Sequence, residues 1–426
     1  MKLFLIGSGG REHAVAWALR RTNPQLKIFC APGNAGIETV TECVPINVSD
    51  TQRLLKFAAT ESVDLSVVGP ELPLAAGLVD EFVANGLKVF GPTKAAARLE
   101  ASKSFAKDFM ARHQIPTARF HLAHSSDQAL RILRSQEFDC DSGVVLKADG
   151  LAAGKGVIVA HSLVEAEGAV RELERSGLGG TSDRPLVIEE ALTGPEASVL
   201  AFADGKDYLL MPPARDHKRI GENETGPNTG GMGTVTSDSL IDEKVLQEIK
   251  KQIVELTLEG AEREGFPFRG VLFVGLMLTS EGPKVLEYNV RFGDPETQAI
   301  LVRLESNLLT VFEAATQGKL AGCEIVWGGG ASACVVLANR GYPGKVEAGA
   351  KIEGLPQLGI NDPLQIFHAG TSRGQNGELI ASGGRVLGIT STGRTLPEAL
   401  NRCYEVIESI CWEGMQFRRD IGRGAC

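Results

Sequence analysis

Eight cysteines are scattered over 426 residues, with no C-x-x-C pair and no Cys/His cluster. That excludes a zinc ribbon and a disulfide scaffold, and it reads as the reduced thiols of a cytoplasmic protein. No apolar run reaches the length of a membrane span. Residues 3–6 are apolar, but the run stops at Gly7 and Arg11-Glu12-His13 follows, the pattern of a buried strand rather than a leader. Positive charge is not in excess: the formal net charge is −9, which argues against a general nucleic-acid or membrane-surface binder. Internal repeats and low-complexity segments are missing too.

Two phosphate-binding signatures are also absent. A Walker A loop needs Ser or Thr after its lysine and a helix behind it, but Gly156 follows Lys155 and Val157-Ile158-Val159 continues as a strand. The dinucleotide fingerprint G-x-G-x-x-G would need glycine at position 12, where Glu12 stands. The acidic residue expected after the second strand is replaced by Phe29-Cys30-Ala31-Pro32. The helix after Gly9-Gly10 is left free to receive some other anion, such as a sugar phosphate.

A chain of this length needs several cores, and 50 glycines supply many tight turns and loops that approach ligands. Apolar strands at 2–6, 27–30, 64–68 and 88–90 alternate with helices at 11–21 and 51–60, which predicts a parallel α/β sheet. Its ligand loops would be 7–10, 32–36 and Gly69-Pro70-Glu71, beyond the carboxyl ends of the strands. A helix is expected at 101–112, another at 163–176, and a strand at 186–192. Residues 214–233 read as a long polar loop, 241–264 as a helix, and 270–279 with 283–289 as an apolar hairpin. From about 328 the chain is rich in strands and closes with a helix at 396–410.

Three segments carry chemistry. Residues 144–159 form a hairpin whose loop, with Gly154, Lys155 and Gly156, is built to fold over a polyphosphate. Lys147 and Lys155 add point charges. In Leu286-Glu287-Tyr288-Asn289-Val290-Arg291, alternation puts Glu287 and Asn289 on one strand face and Leu286, Tyr288 and Val290 on the other. One carboxylate and one amide oxygen suit Mg²⁺ that takes its remaining ligands from phosphate and water. Arg291 lies beside them, placed to clamp a transferring phosphoryl group.

Two hairpins closing on ATP, lysines on the first and a Glu-x-Asn pair on the second, resemble the ATP-grasp superfamily. The resemblance narrows along the whole chain: Gly7-Ser8-Gly9-Gly10-Arg11-Glu12-His13-Ala14, Pro32-Gly33-Asn34-Ala35-Gly36, Gly69-Pro70-Glu71, Asp216-His217-Lys218-Arg219, Thr225-Gly226-Pro227-Asn228-Thr229-Gly230-Gly231-Met232-Gly233 and Arg291-Phe292-Gly293-Asp294-Pro295-Glu296-Thr297-Gln298 occur in order. The set is similar to the phosphoribosylamine–glycine ligase (glycinamide ribonucleotide synthetase) family.

The resemblance implies a multidomain α/β and α+β fold. A pre-ATP-grasp α/β domain would cover 1–102, an ATP-grasp domain 103–325 with a mobile lid at about 120–192, and a strand-rich α+β domain 326–426. It implies a ligase of purine biosynthesis that joins glycine to 5-phosphoribosylamine, with ATP as co-substrate and Mg²⁺ or Mn²⁺ on Glu287 and Asn289. Lys103, Lys147, Gly154, Lys155 and Gly156 would serve the phosphates. Glu189, Glu190, Ala191 and Leu192 would form the adenine linker, and Glu196 would accept the ribose hydroxyls. Arg291, Lys155, Asp216 and Asp294 would be catalytic. Substrate would meet Gly9, Gly10, Gly69, Pro70, Glu71, Asp216, Asn228, Thr229, Gly230, Gly231, Arg291, Asp294 and Glu296. Asp216 would hold the glycine amine or merely stabilise a turn, and Asp294 and Glu296 would orient Arg291 or the amine. The ribose phosphate would take Arg340, Lys345 or Arg385, and His217 and His368 read as structural. A monomer acting on small molecules is expected, with neither nucleic acid nor membrane as partner. The strand before Glu287, residues 274–278, carries no acid where many superfamily members place a first metal ligand. Other readings are an ATP-grasp ligase with a different acid or amine, and a dinucleotide-dependent oxidoreductase.

Overall fold

The computed structural model describes residues 1–151, 156–181 and 183–424. The first hundred residues close into the expected parallel sheet. Strands β1 (Lys2–Gly7), β2 (Lys27–Pro32), β3 (Glu42–Cys43), β4 (Leu65–Val68) and β5 (Val89–Phe90) lie in the order β3-β2-β1-β4-β5. β1 and β4 are buried almost throughout, because helices cover both faces of such a sheet.

Beyond it, β6 (Phe120–Ala123), β7 (Val144–Ala148), β8 (Val157–Ala160) and β9 (Leu186–Glu190) make an antiparallel sheet in the order β6-β9-β7-β8. Helices Ser126–Arg134 and Leu163–Arg175 start at Ser125 and Ser162, whose hydroxyls accept the Gln128 and Glu165 N–H groups. Their inward faces join Val144, Leu146 and Ile188 in a small apolar core separate from the rest.

The third sheet is the largest. β10 (Glu196–Asp204), β11 (Tyr208–Leu210), β12 (Ala214–Asp216), a side hairpin of β13 (Arg219–Gly221) and β14 (Thr225–Asn228), and β15 (Gly233–Ser237) precede the paired strands β16 (Arg269–Thr279) and β17 (Gly282–Asn289). β18 (Ala331–Asn339) begins the last stretch. A minor sheet of β19 (Ala350–Lys351), β22 (Leu379–Ala381) and β21 (Thr371–Arg373) flanks β20 (Leu364–His368), β23 (Arg385–Gly393) and β24 (Met415–Gln416). The path β17-β16-β10-β12-β15-β18-β23-β20 is continuous, so the strands after 328 extend the sheet that carries Glu287. Phe202, Phe292 and Phe312 pack between this sheet and Leu3, Leu5 and Trp17 of the first domain. Truncating one such buried ring costs about 3–5 kcal/mol.

Three expectations need correction. Residues 214–233 are not one loop: β12 joins the large sheet and β13–β14 is a hairpin, since Arg219 pairs with Asn228. The helix at 241–264 contains a π segment, Lys250–Glu255, between Glu243–Ile249 and Leu256–Arg263. Leu286 does not share the inner face with Tyr288. A bulge opposite Gly275 and Leu276 makes it the extra residue, and Val285 fills the core instead. Among the described residues, no helix is long and apolar enough to cross a membrane.

Candidate active site

The cleft lies where the β7–β8 hairpin meets β17. Lys147, on β7, donates Nζ to the carbonyl of bulged Leu286 at 3.0 Å. Its ammonium also pairs with Glu189, buried on neighbouring β9, and Glu189 pairs in turn with buried Lys107. Burial lowers Lys107 while Glu189 opposes that shift. Lys107 Nζ reaches Thr117 Oγ1 at 2.7 Å, and that hydroxyl donates to Val285 O at 2.6 Å. One buried chain of polar contacts therefore couples the two hairpins. Lys103 Nζ donates to Gly150 O at 2.8 Å, and Asp149 accepts from Ser104 N at 3.0 Å at the start of helix Lys103–Arg112.

On the other wall, Glu287 faces the cleft. Burial raises its carboxyl, but Lys218, Lys147, Lys103 and Arg291 together pull it below its ordinary value. Four cations therefore act on one carboxylate, three of them also paired with other acids: Lys147 with Glu189, Lys218 with Glu196 and Arg291 with Glu100. Lys218 lies 3.0 Å from Glu196 and 3.9 Å from Glu287. Asn289 Oδ1 accepts from Arg291 Nη2 at 3.0 Å and keeps a lone pair for a second contact. Gly275 stands opposite Glu287, so β16 adds no acid. No group of three His, Cys, Asp or Glu side chains suited to a metal occurs among the described residues. One carboxylate, one amide oxygen and room for phosphate oxygens fit Mg²⁺ or Mn²⁺ held mainly by a nucleotide.

Arg291 is held from three sides. Its Nη2 lies 3.2 Å from Glu100, whose other oxygen accepts the Val290 N–H at 2.8 Å, and its Nε lies 3.5 Å from Glu71. Glu71 also meets Arg11 at 3.5 Å, which ties the first domain to the clamp. Arg11 pairs with Glu12 at 3.0 Å, and Glu12 Oε2 accepts the Gly9 N–H at 2.5 Å. A Cβ on Gly69 would stand 2.1 Å from Glu12 Oε1. The Glu12 carboxylate therefore occupies the ground that a dinucleotide pyrophosphate needs, which removes the oxidoreductase reading.

Deeper in the cleft, burial raises the Asp216 carboxyl well above its ordinary value, Glu296 adding to the shift. Burial raises Glu296 as well. Asp216 Oδ1 is buried with no hydrogen-bond partner among the described residues. Gly231, at φ +109°, lets the loop pass: a Cβ there would sit 2.6 Å from that oxygen. Burial raises Asp294, but Arg385, Arg11 and a 2.8 Å bond from Gln298 draw it below its ordinary value.

Models of the phosphoribosylglycinamide synthetase family match the chain along its length: the N domain over residues 1–100, the ATP-grasp (A) domain over 101–297 and the C domain over 332–424. The chain belongs to this family. It is 44% identical to the phosphoribosylamine–glycine ligase of Caldanaerobacter subterraneus over the full length of both, and 46% identical to that of Brucella melitensis over 99% of this chain and 97% of the relative. Its structure is similar to the crystal structure of the Thermotoga maritima phosphoribosylamine–glycine ligase, with TM-score 0.85, 36% identity, and 99% and 100% of the two chains covered. A Campylobacter jejuni biotin carboxylase complex, at 14% identity and TM-score 0.71 over 98% and 93% of the chains, shares the fold alone.

The structure places the expected site residues that lie among the described ones. Lys103, Lys147, Glu196, Glu287, Asn289, Arg291 and Asp216 line one cleft. Gly154 and Lys155 lie outside the described residues, and Gly156 O accepts the Ala148 N–H at the mouth of the hairpin. In the linker, Glu189 turns inward to the lysines, Glu190 pairs with Arg119, and the Glu190 and Ala191 N–H groups go to Arg119 O and Gly143 O. Leu192 follows the end of β9. Asn228 pairs with Arg219 across the β13–β14 hairpin. Thr229 donates to Lys218 O through N and Oγ1, Gly230 N donates to Tyr342, and Gly231 N to Thr229. Gly10 opens the first helix against Gln298, and Pro70 caps helix Glu71–Ala76. Of the three cations suggested for a phosphate, only Arg385 reaches the cleft, and its donors go to Gly230 O, Gly231 O and Asp294 O. Arg340 pairs with exposed Glu347. His217 bonds Glu224 through Nδ1 and accepts the Gly422 N–H at Nε2, so neither nitrogen is free for base work. Sequence reasoning missed Lys218, Lys107 and Glu100. Lys218 stood inside a quoted motif, but nothing in its neighbours said which way it points.

Proposed function

We propose that this chain joins the carboxylate of glycine to the amine of 5-phosphoribosylamine, converting ATP to ADP and phosphate through glycyl phosphate. One observation carries the reading: Lys147 of the first hairpin rests on the backbone beside Glu287 of the second, so both ribbons serve one nucleotide. Membership of the synthetase family supports the choice of substrates.

Glycine enters with its ammonium between Asp216 and Glu296, where a positive group relieves the burial and the Glu296 repulsion that raise the Asp216 carboxyl. Its carboxylate is thereby turned toward Arg291. A carboxylate oxygen attacks the γ-phosphorus as the bond to ADP breaks. Lys103, Lys147 and Lys218 balance the charge of the phosphates, and Arg291 steadies the transferring group. Glu287 and Asn289 would hold Mg²⁺ or Mn²⁺, which when bound neutralises phosphate charge. The amine of phosphoribosylamine then attacks the acyl carbon, and the C–O bond to phosphate breaks. The departing phosphate takes the proton that the amine loses, so neither His217 nor His368 is needed. Acyl phosphates hydrolyse, and a β6–β9 sheet with its own core supports a lid that excludes water.

ADP release with ATP, Mg²⁺, glycine and freshly made phosphoribosylamine, each omitted in turn, tests the reading. Turnover that needs all four is expected. Turnover that ignores glycine overturns it in favour of another acid.

A further inference from the structure

A second buried network lies on the far side of the cleft wall, away from any substrate group. Arg418 is almost fully buried, and each of its three guanidinium nitrogens donates a hydrogen bond. Nη1 donates to Arg219 O at 3.0 Å, Nη2 to Glu224 Oε1 at 2.7 Å, and Nε to Asp420 Oδ1 at 2.8 Å. Asp420 Oδ2 in turn accepts the Asn223 N–H at 2.7 Å, and the Arg419 N–H goes to Glu222 at 3.1 Å. Gly422 N–H reaches His217 Nε2 at 2.9 Å, and Glu224 Oε1 takes the Nδ1–H of the same ring at 3.0 Å. Arg215 donates to Gly424 O at 2.7 Å.

Residues 217 and 219 are therefore both fastened to residues 418–422. The ring of His217 and the carbonyl of Arg219 are both held on that side, which fixes the backbone before and after Lys218, and the Lys218 ammonium meets Glu196 and Glu287. Thr229 holds the Lys218 carbonyl from the other edge. A buried guanidinium sharing two carboxylates is a poor device for stability alone, because its desolvation consumes most of the attraction.

We propose that Arg418 is a positioning residue, and that residues 418–422 act as a splint that aims Lys218 at the nucleotide phosphates. The proposal rests on the reading of the cleft given above. It is distinct from the substrate assignment, because it concerns how a cation is aimed rather than which acid is activated.

The test is a double-mutant cycle on the full chain with Arg418→Gln and Lys218→Met, reading kcat, the KM for ATP and the melting temperature. A small misplacement of a charged group costs up to about a hundredfold in rate, so Arg418→Gln should lower kcat by about ten- to a hundredfold. The KM for ATP should stay within about twofold, because the contacts of Lys147 and Leu192 are untouched. Added to Lys218→Met, Arg418→Gln should lower kcat no further, which a purely structural role would not produce. Additive losses overturn the proposal, as does an unchanged kcat in folded Arg418→Gln. An unchanged kcat in Lys218→Met also overturns it, while glycine-dependent ADP release still decides the ligase reading separately. Should Arg418→Gln fail to fold, Glu224→Gln, which weakens the splint without changing its shape, decides in the same cycle: a loss that vanishes beside Lys218→Met supports the splint, and full activity overturns it.

Discussion

Lys147 donates to the carbonyl of Leu286 at 3.0 Å, so the lysine of one hairpin sits on the residue next to the acid of the other. The contact depends on the bulge at Leu286, which turns that carbonyl out of the ladder with β16. A regular strand would have kept the carbonyl in the sheet and left the ammonium without an acceptor there. The two walls of the cleft are thus registered to each other by a contact within the protein itself.

Glu287→Ala removes the one carboxylate that four cations surround. The loss should cost about 3–5 kcal/mol in the transition state, roughly a hundred- to several-thousand-fold in kcat/KM. Steady-state ADP release checks it, and activity within threefold of the parent contradicts the metal assignment.

Asp216→Asn should trade activity for stability. The folded-state pKa of Asp216 is raised, so the group stabilises the fold at low pH and that contribution is lost as pH rises through the raised value. At pH 7 the carboxylate is a liability, and its removal should stabilise the protein by about 0.5–2 kcal/mol. The KM for glycine should rise at least tenfold while the KM for ATP holds. Urea unfolding at pH 7 and glycine titration check both halves; lower stability with an unchanged glycine KM would refute the assignment.

His13 and His368 join the first domain to β20: the His368 N–H donates to His13 Nδ1 at 2.8 Å. Burial holds His13 well below its ordinary value and takes His368 down to about 4. Between about pH 6.5 and 4 the unfolded chain therefore binds protons that the folded chain refuses, and stability falls as pH falls. The slope is at most about 1.4 kcal/mol per pH unit for each histidine. Urea midpoints at pH 7, 6 and 5 should decline, and His368→Gln should decline less; parallel declines would remove these rings as the cause.

Glu12→Gly completes the spacing of a dinucleotide fingerprint on paper. It should not create NADH binding, because β2 ends in Ala31-Pro32 where a ribose-binding acid belongs. It should destabilise the protein by about 2–4 kcal/mol, since buried Arg11 and the Gly9 N–H lose their carboxylate. Fluorescence titration with NADH and a melting curve decide the point.

The parallel sheet, both hairpins and the Glu287/Asn289/Arg291 strand were legible because strand periodicity, glycine placement and motif spacing are local properties. The rejection of the dinucleotide reading rested on Glu12 and on the missing acid near Phe29-Cys30-Ala31-Pro32, and the closeness of the Glu12 carboxylate to Gly9 and Gly69 supplies the physical reason for the first. Lys218 was illegible as a cleft residue because its direction is set by Arg418, 199 residues from Arg219 in the chain. The bulge at Leu286 was hidden for a similar cause: Val285 and Leu286 are both apolar, and only packing against β16 decides which of the two faces inward. Glu189 read as part of an adenine linker through its backbone; the pairing of its carboxylate with Lys107 and Lys147 spans three elements, which periodicity cannot reveal.

The most direct measurement follows one oxygen atom. Glycine labelled with ¹⁸O in its carboxylate is turned over with ATP and phosphoribosylamine, and the released phosphate is examined by mass spectrometry or ³¹P NMR. Activation of the carboxylate by phosphoryl transfer predicts one labelled oxygen from glycine in each phosphate released. Phosphate that carries no label would contradict it.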